Sequence, residues 1–123
     1  MSGNIKYDKW INDDNSENYK CRAWVNFDGV GTVSIRASGN VSSITDNGAG
    51  LYTVNFTTAM VDASYSISGS AGRATASGGA GLGGFWLETN QPTAPSASSF
   101  VINVYNYNST AADSPYINLA IFR

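Results

Sequence analysis

Histidine is absent from this 123-residue chain, and cysteine and charge are scarce: one Cys, seven basic and nine acidic side chains, 13% charged in all. Without histidine there is no Ser-His-Asp or Cys-His activation of a nucleophile, and most zinc sites are excluded as well. A single Cys21 cannot form an intrachain disulfide. Apolar runs last a few residues, far short of the roughly 20 that a membrane helix needs. The opening MSGNIKYDKW lacks the apolar core of a signal peptide. These absences point to a chain made and folded in a reducing cytoplasm, whatever its final location. A net charge of −2 supplies no basic field for nucleic acid.

Motifs that could carry chemistry fail on context. Asp13-Asp14-Asn15-Ser16-Glu17 resembles the start of a calcium loop, but Asn18 stands where the EF-hand turn needs Gly, so a solvated acidic loop is expected. Gly79-Ala80-Gly81-Leu82-Gly83-Gly84 matches G-x-G-x-x-G, yet it runs into the strand-like Phe85-Trp86-Leu87-Glu88-Thr89, where a dinucleotide fingerprint requires a helix. Past residue 20 the carboxylates are Asp28, Asp46, Asp62, Glu88 and Asp113. Most sit in turn-forming sequence, where Asp bonds local amides, and nothing pairs two of them across a cleft as glycoside hydrolysis requires. Cys21 opens an apolar-faced strand and is expected to be a small buried thiol. No catalytic residue, metal site or cofactor is expected.

What the chain does have is Ser, Thr and Asn in alternation with large apolar residues. Residues 41–60 are the organising stretch: Tyr52, Val54 and Phe56 alternate with Thr53, Asn55 and Thr57 after a turn at Asp46-Asn47-Gly48-Ala49-Gly50, which is a hairpin signal. Residues 21–36 form a second hairpin, with Cys21, Ala23, Val25 and Phe27 on one face, and Val33 and Ile35 inward on the return. Trp24 makes the opposite face of its strand partly apolar, so that strand is expected to be covered on both sides. Tyr65 and Ile67 mark a strand over 64–68. Residues 68–84 hold seven of the 13 glycines and read as a loop or a weak strand. Further strands are expected at 85–89, at 99–107, the longest, and at 116–123.

About eight short strands with turn signals between them, and no amphipathic helical window, specify an all-β fold, an antiparallel β-sandwich of jelly-roll-like or immunoglobulin-like type. It occupies residues 21–123 as a single domain. Residues 1–20 carry Lys6, Asp8, Lys9, Asp13, Asp14, Glu17 and Lys20 and little apolar anchorage, which marks an N-terminal arm or attachment segment. The candidate recognition residues are Trp10 and Ile11 in that arm, and Trp86, Tyr105, Tyr107 and Tyr116 on outward faces. Such aromatics pack across a second sheet, fill a subunit contact or stack on sugar rings. Uncharged polar side chains favour assembly, because they desolvate at lower cost than Lys or Glu.

Cys21-Arg22-Ala23-Trp24-Val25-Asn26-Phe27 followed by Gly-x-Gly-Thr-Val, then Ser38-Gly39-Asn40-Val41-Ser42-Ser43-Ile44-Thr45-Asp46-Asn47-Gly48, Tyr52-Thr53-Val54-Asn55-Phe56-Thr57-Thr58-Ala59-Met60 and the final Ala120-Ile121-Phe122-Arg123, resembles the β-rich C-terminal module of tail-fibre and related virion proteins of tailed bacteriophages, marine ones especially. Two positions depart from that pattern: Val30, where a small polar residue is expected, and Val61, where proline often follows the Ala-Met pair. The resemblance implies a virion structural protein, made in the host cytoplasm, with no catalytic residues. It also implies self-association, commonly as a homotrimer, and contact with other virion proteins. That the module makes up nearly the whole chain weighs against host recognition and for a small adaptor, neck or capsid-surface component; the expectation is a component of the tail, fibre or adaptor apparatus. A host-surface glycan-binding module and a capsid-surface decoration protein are the alternatives.

Overall fold

A computed structural model of the chain describes residues 3–4, 6, 8–17, 19–72, 85–87, 93–106 and 109–123, with 85–87 described for the backbone alone. Its strands are β1 (Cys21–Asp28), β2 (Ser34–Gly39), β3 (Val41–Gly48), β4 (Leu51–Phe56), β5 (Ser66–Gly72), β6 (Phe85–Leu87), β7 (Ser99–Val104) and β8 (Tyr116–Phe122). They form two antiparallel four-stranded sheets, a front sheet ordered β2-β1-β8-β5 and a back sheet ordered β3-β4-β7-β6. The expected β-sandwich is what forms, with the first strand paired to the last.

Alternation drives the stacking. Ala23, Val25 and Phe27 of β1 and Ile117, Leu119 and Ile121 of β8 turn inward from the front sheet, while Tyr52, Val54, Phe56, Phe100, Ile102 and Val104 meet them from the back sheet. The rings of Phe27 and Tyr52 pack edge to face across the gap, with centroids 5.3 Å apart. At the other end of the core Phe56 contacts Tyr65 and Phe100 at 5.5 and 5.7 Å. Such pairs add about 0.5–1.5 kcal/mol beyond the area they bury.

The β3–β4 hairpin closes through Gly48 and Gly50, both at positive φ. Gly50 also has no room for a side chain, because a Cβ there would lie 2.4 Å from the Val104 carbonyl oxygen. The neighbouring loops are tied at this end of the sandwich. Tyr52 Oη is within hydrogen-bond distance of Gly29 O at 2.9 Å and of Asp113 Oδ1 at 2.7 Å, and the Gly50 N–H donates to the same Asp113 oxygen. Burial, and then the Asp113 hydrogen bond, raise the Tyr52 pKa well above the usual phenol range.

Three expectations are corrected. β5 continues to Gly72, past the expected end at Ser68 and into the start of the stretch read as a loop or a weak strand. Its small residues follow no hydrophobic pattern, but β8 needs a second partner and pairs with every residue from Ser66 to Gly72. β7 stops at Val104, so β1 and β3, at eight residues each, are longer. Tyr105 instead forms a single bridge to Ala111, and Ser109 takes a positive φ. Cys21 is exposed, because the register slips between Cys21 and Ala23 and moves the thiol off the inward row. The expected arm contains a short hairpin, in which Ile11 bridges Glu17 and Ser16 satisfies the Asp14 carboxylate. These local hydrogen bonds, the Ser16 hydroxyl first, hold the Asp14 carboxyl below its ordinary pKa.

Candidate functional site

The residues singled out in the sequence fall in separate places. Trp10 and Ile11 stand 57% and 48% exposed at the start of the N-terminal hairpin, and the nearby Tyr19 is 73% exposed. Tyr105 is half-buried at the end of β7, where its hydroxyl accepts a hydrogen bond from Asn103 Nδ2. Trp86 lies in β6 opposite Asn103, with its side chain outside the described residues. Tyr107 lies outside them altogether, as do Glu88 and most of the glycine-rich stretch. Tyr116 is 48% exposed on the outer face of the front sheet.

That outer face is the most distinctive surface of the molecule, and most of its residues were not singled out. Trp24 and Phe122 join Tyr116 there, 44% and 40% exposed. The expectation that β1 is covered on both sides fails at Trp24. The indole lies across the neighbouring strand instead. Trp24 pairs with Gly39, and a Cβ built on Gly39 would sit 2.4 Å from Trp24 Nε1 and 2.8 Å from Cδ1. Only a residue without a side chain lets the five-membered ring settle onto β2. Tyr116 pairs in the same way with Gly72 of β5, where a Cβ would lie 3.1 Å from the tyrosine Cβ.

Between Trp24 and Tyr116 runs a directed hydrogen-bond chain. Arg36 Nη1 donates to Asn26 Oδ1 at 3.1 Å, and Asn26 Nδ2 donates to Asn118 Oδ1. A guanidinium can only donate, so it fixes the orientation of both amides. The chain ends on the Asn118 amide nitrogen, which has no acceptor among the described residues, and the same holds for Trp24 Nε1 and the Tyr116 hydroxyl. Arg36 also lies 4.6 Å from the Tyr116 ring centroid and 3.7 Å from the Asp28 carboxylate. Its charge is matched at the edge. Across the middle of the sheet the outward positions on either side of Trp24 and Asn26 are Gly39, Ala37, Ala120 and Asn118, all uncharged.

A separate cleft of about 300 Å³ opens where β1 begins and β8 ends, lined by Arg22, Asn40, Ala59, Met60, Val61 and Arg123. Its polar groups are already engaged. Arg123 forms a bidentate pair with Asp62 at 2.7 and 2.8 Å, and holds that carboxyl down to about 2. Arg22 Nε donates to the Arg123 carbonyl, and both ends of the Asn40 amide bond to the backbone of Thr58. The cleft is a structural junction. Among the described residues no three metal-ligating side chains come together. Compared with known proteins, the chain matches no family model, no curated protein and no solved structure.

Proposed function

We propose that the protein is a structural component of a tailed-bacteriophage virion: a small β-sandwich that self-associates as a homotrimer and joins the tail, fibre or adaptor apparatus through residues 1–20. The observation that carries this reading is the exposure of Trp10, Ile11 and Tyr19 on a segment that contributes no described residue to the buried core. Large apolar side chains held in water cost about 25 cal/mol per Å² relative to burial, and a neighbouring subunit recovers that free energy. The low charge of the chain and the motifs in 21–60 and 120–123 support the same reading.

Light scattering on the purified protein at micromolar concentration tests the self-association, a trimer being expected and a 13.0 kDa monomer contradicting it. Deleting residues 1–20 is expected to preserve the fold and abolish incorporation into particles. Truncated protein that still incorporates would place the attachment elsewhere. Labelling the chain in imaged particles then separates a tail, fibre or adaptor position from one on the capsid surface.

A further inference from the structure

We propose that the outer face of the front sheet is a binding platform for a neutral hexopyranose chain, with Trp24 as the stacking surface and Asn118 as the orienting donor. The inference is independent of the attachment role given to residues 1–20. It rests on three features that meet on one face.

The first is shape. Seated against Gly39, the Trp24 indole crosses onto β2 and remains 44% exposed, so part of its π surface is open to a ligand. Aliphatic C–H groups on one side of a pyranose match such a π surface. The second is unused hydrogen-bonding capacity. Trp24 Nε1–H, the Asn118 amide N–H groups and the Tyr116 hydroxyl lack protein acceptors among the described residues, while the Arg36–Asn26–Asn118 chain sets the direction of the Asn118 donor. Hydroxyl and ring oxygens of a sugar accept from such groups, and a chain of donors strengthens its terminal member. The third is electrical neutrality. Among the described residues the basic groups near this face are paired, Arg36 with Asp28 at 3.7 Å and Arg22 with Glu17 at 3.9 Å, so an acidic or basic polymer gains little there.

Spacing fits a chain more than a single sugar. Trp24 pairs with Ala120, so Asn118 lies two residues along β8 and Tyr116 four. At about 3.4 Å per residue this spreads the platform over roughly 14 Å, or two to three pyranose rings. Phe122 extends the face in the opposite direction, beside Cys21.

The test titrates the full-length protein with cellohexaose, maltohexaose and chitohexaose at millimolar concentration, following the indole and side-chain amide resonances by NMR. At least one of the three is expected to shift both the Trp24 indole N–H and the Asn118 amide. Trp24→Ala should weaken that binding at least about tenfold. Trp24→Phe should keep part of it, and Asn55→Ala on the back sheet should leave it unchanged. Thermal melts of each variant establish that the sandwich persists, and Asn118→Leu provides a second disruption that spares the ring. No shift with any of the three sugars overturns the proposal. So does a shift that survives Trp24→Ala. If Trp24→Ala instead dissociates an oligomer and no sugar binds, the face is a subunit contact and the saccharide assignment is wrong.

Discussion

The two outer faces of the sandwich are built from the same alternating pattern and end in opposite states. On the back sheet the outward side chains satisfy one another: Asn55 Nδ2 reaches Ser43 Oγ at 3.1 Å and Thr45 Oγ1 at 3.0 Å, and Asn47 Nδ2 donates to Thr53 Oγ1 at 2.7 Å. Farther along that sheet Val101 and Asn103, which also point outward, are each only 7% exposed. On the front sheet the rings of Trp24, Tyr116 and Phe122 stay in solvent and a polar chain ends on an unused amide. A face whose donors and acceptors are closed on themselves holds a fold together but has little left to offer a partner. A face with open donors beside exposed rings has capacity for recognition.

Both faces depend on one core, so the largest effect is expected from removing it. Phe27→Ala should cost about 3–5 kcal/mol in urea unfolding, and near-native stability in that variant would mean the two sheets do not share a packed interior. Next comes the seat of the front-face ring. Gly39→Val drives a side chain into the Trp24 indole and should cost about 1–3 kcal/mol, with a change in tryptophan fluorescence. An unchanged spectrum would show that the indole lies elsewhere. On the back sheet Asn55→Ala breaks one exposed ladder and should cost about 1 kcal/mol or less, without altering the front face.

Two pH effects are smaller. The Tyr65 hydroxyl donates to the Ser96 and Ser99 carbonyls at the start of β7, linking the approach to the front sheet with the back sheet. Burial pushes its pKa up to about 12 from an ordinary 10.0. A raised phenol pKa means the neutral form is favoured by folding. The contribution is therefore complete below pH 10 and lost as pH rises toward 12, so unfolding curves of wild type and Tyr65→Phe should converge over that window. Asp62 works in the other sense. Its pKa is lowered by Arg123, so its contribution is present above the ordinary carboxylate value of 3.8 and fades as pH falls toward 2. Because the pair is exposed, Asp62→Asn should shift the melting temperature only slightly at neutral pH and not at all near pH 2. A large loss at neutral pH would make this junction more than a surface pair.

Much of the fold was legible in the residues, and for a physical reason. Period-two alternation is strong in β1, β4, β7 and β8 because each carries buried apolar residues at every second position, Ala23, Val25 and Phe27 in β1 for example. β5 was only half legible, since Ser68, Gly69, Ser70 and Ala71 carry no amphipathic signal and are strands only because β8 requires a neighbour. The front-face site was largely hidden. Tyr116 was found from its outward phase in β8. Trp24 was visible in the outward phase of β1, but its meaning depends on pairing with Gly39, and the register that brings them together passes through a β-bulge between Asn26 and Phe27. Arg36, Asn26 and Asn118 come from three strands, and Asn26 and Asn118 are 92 residues apart in the chain. No local motif announces such a chain.

Hydroxyl-radical footprinting read by mass spectrometry tests the contrast between the faces most directly. Trp24, Tyr116 and Phe122 are expected to oxidise rapidly in the unliganded protein, while Tyr52, Phe27 and Phe100 stay protected. Protection of Trp24 and Tyr116 to the level of those core rings would contradict an open front face.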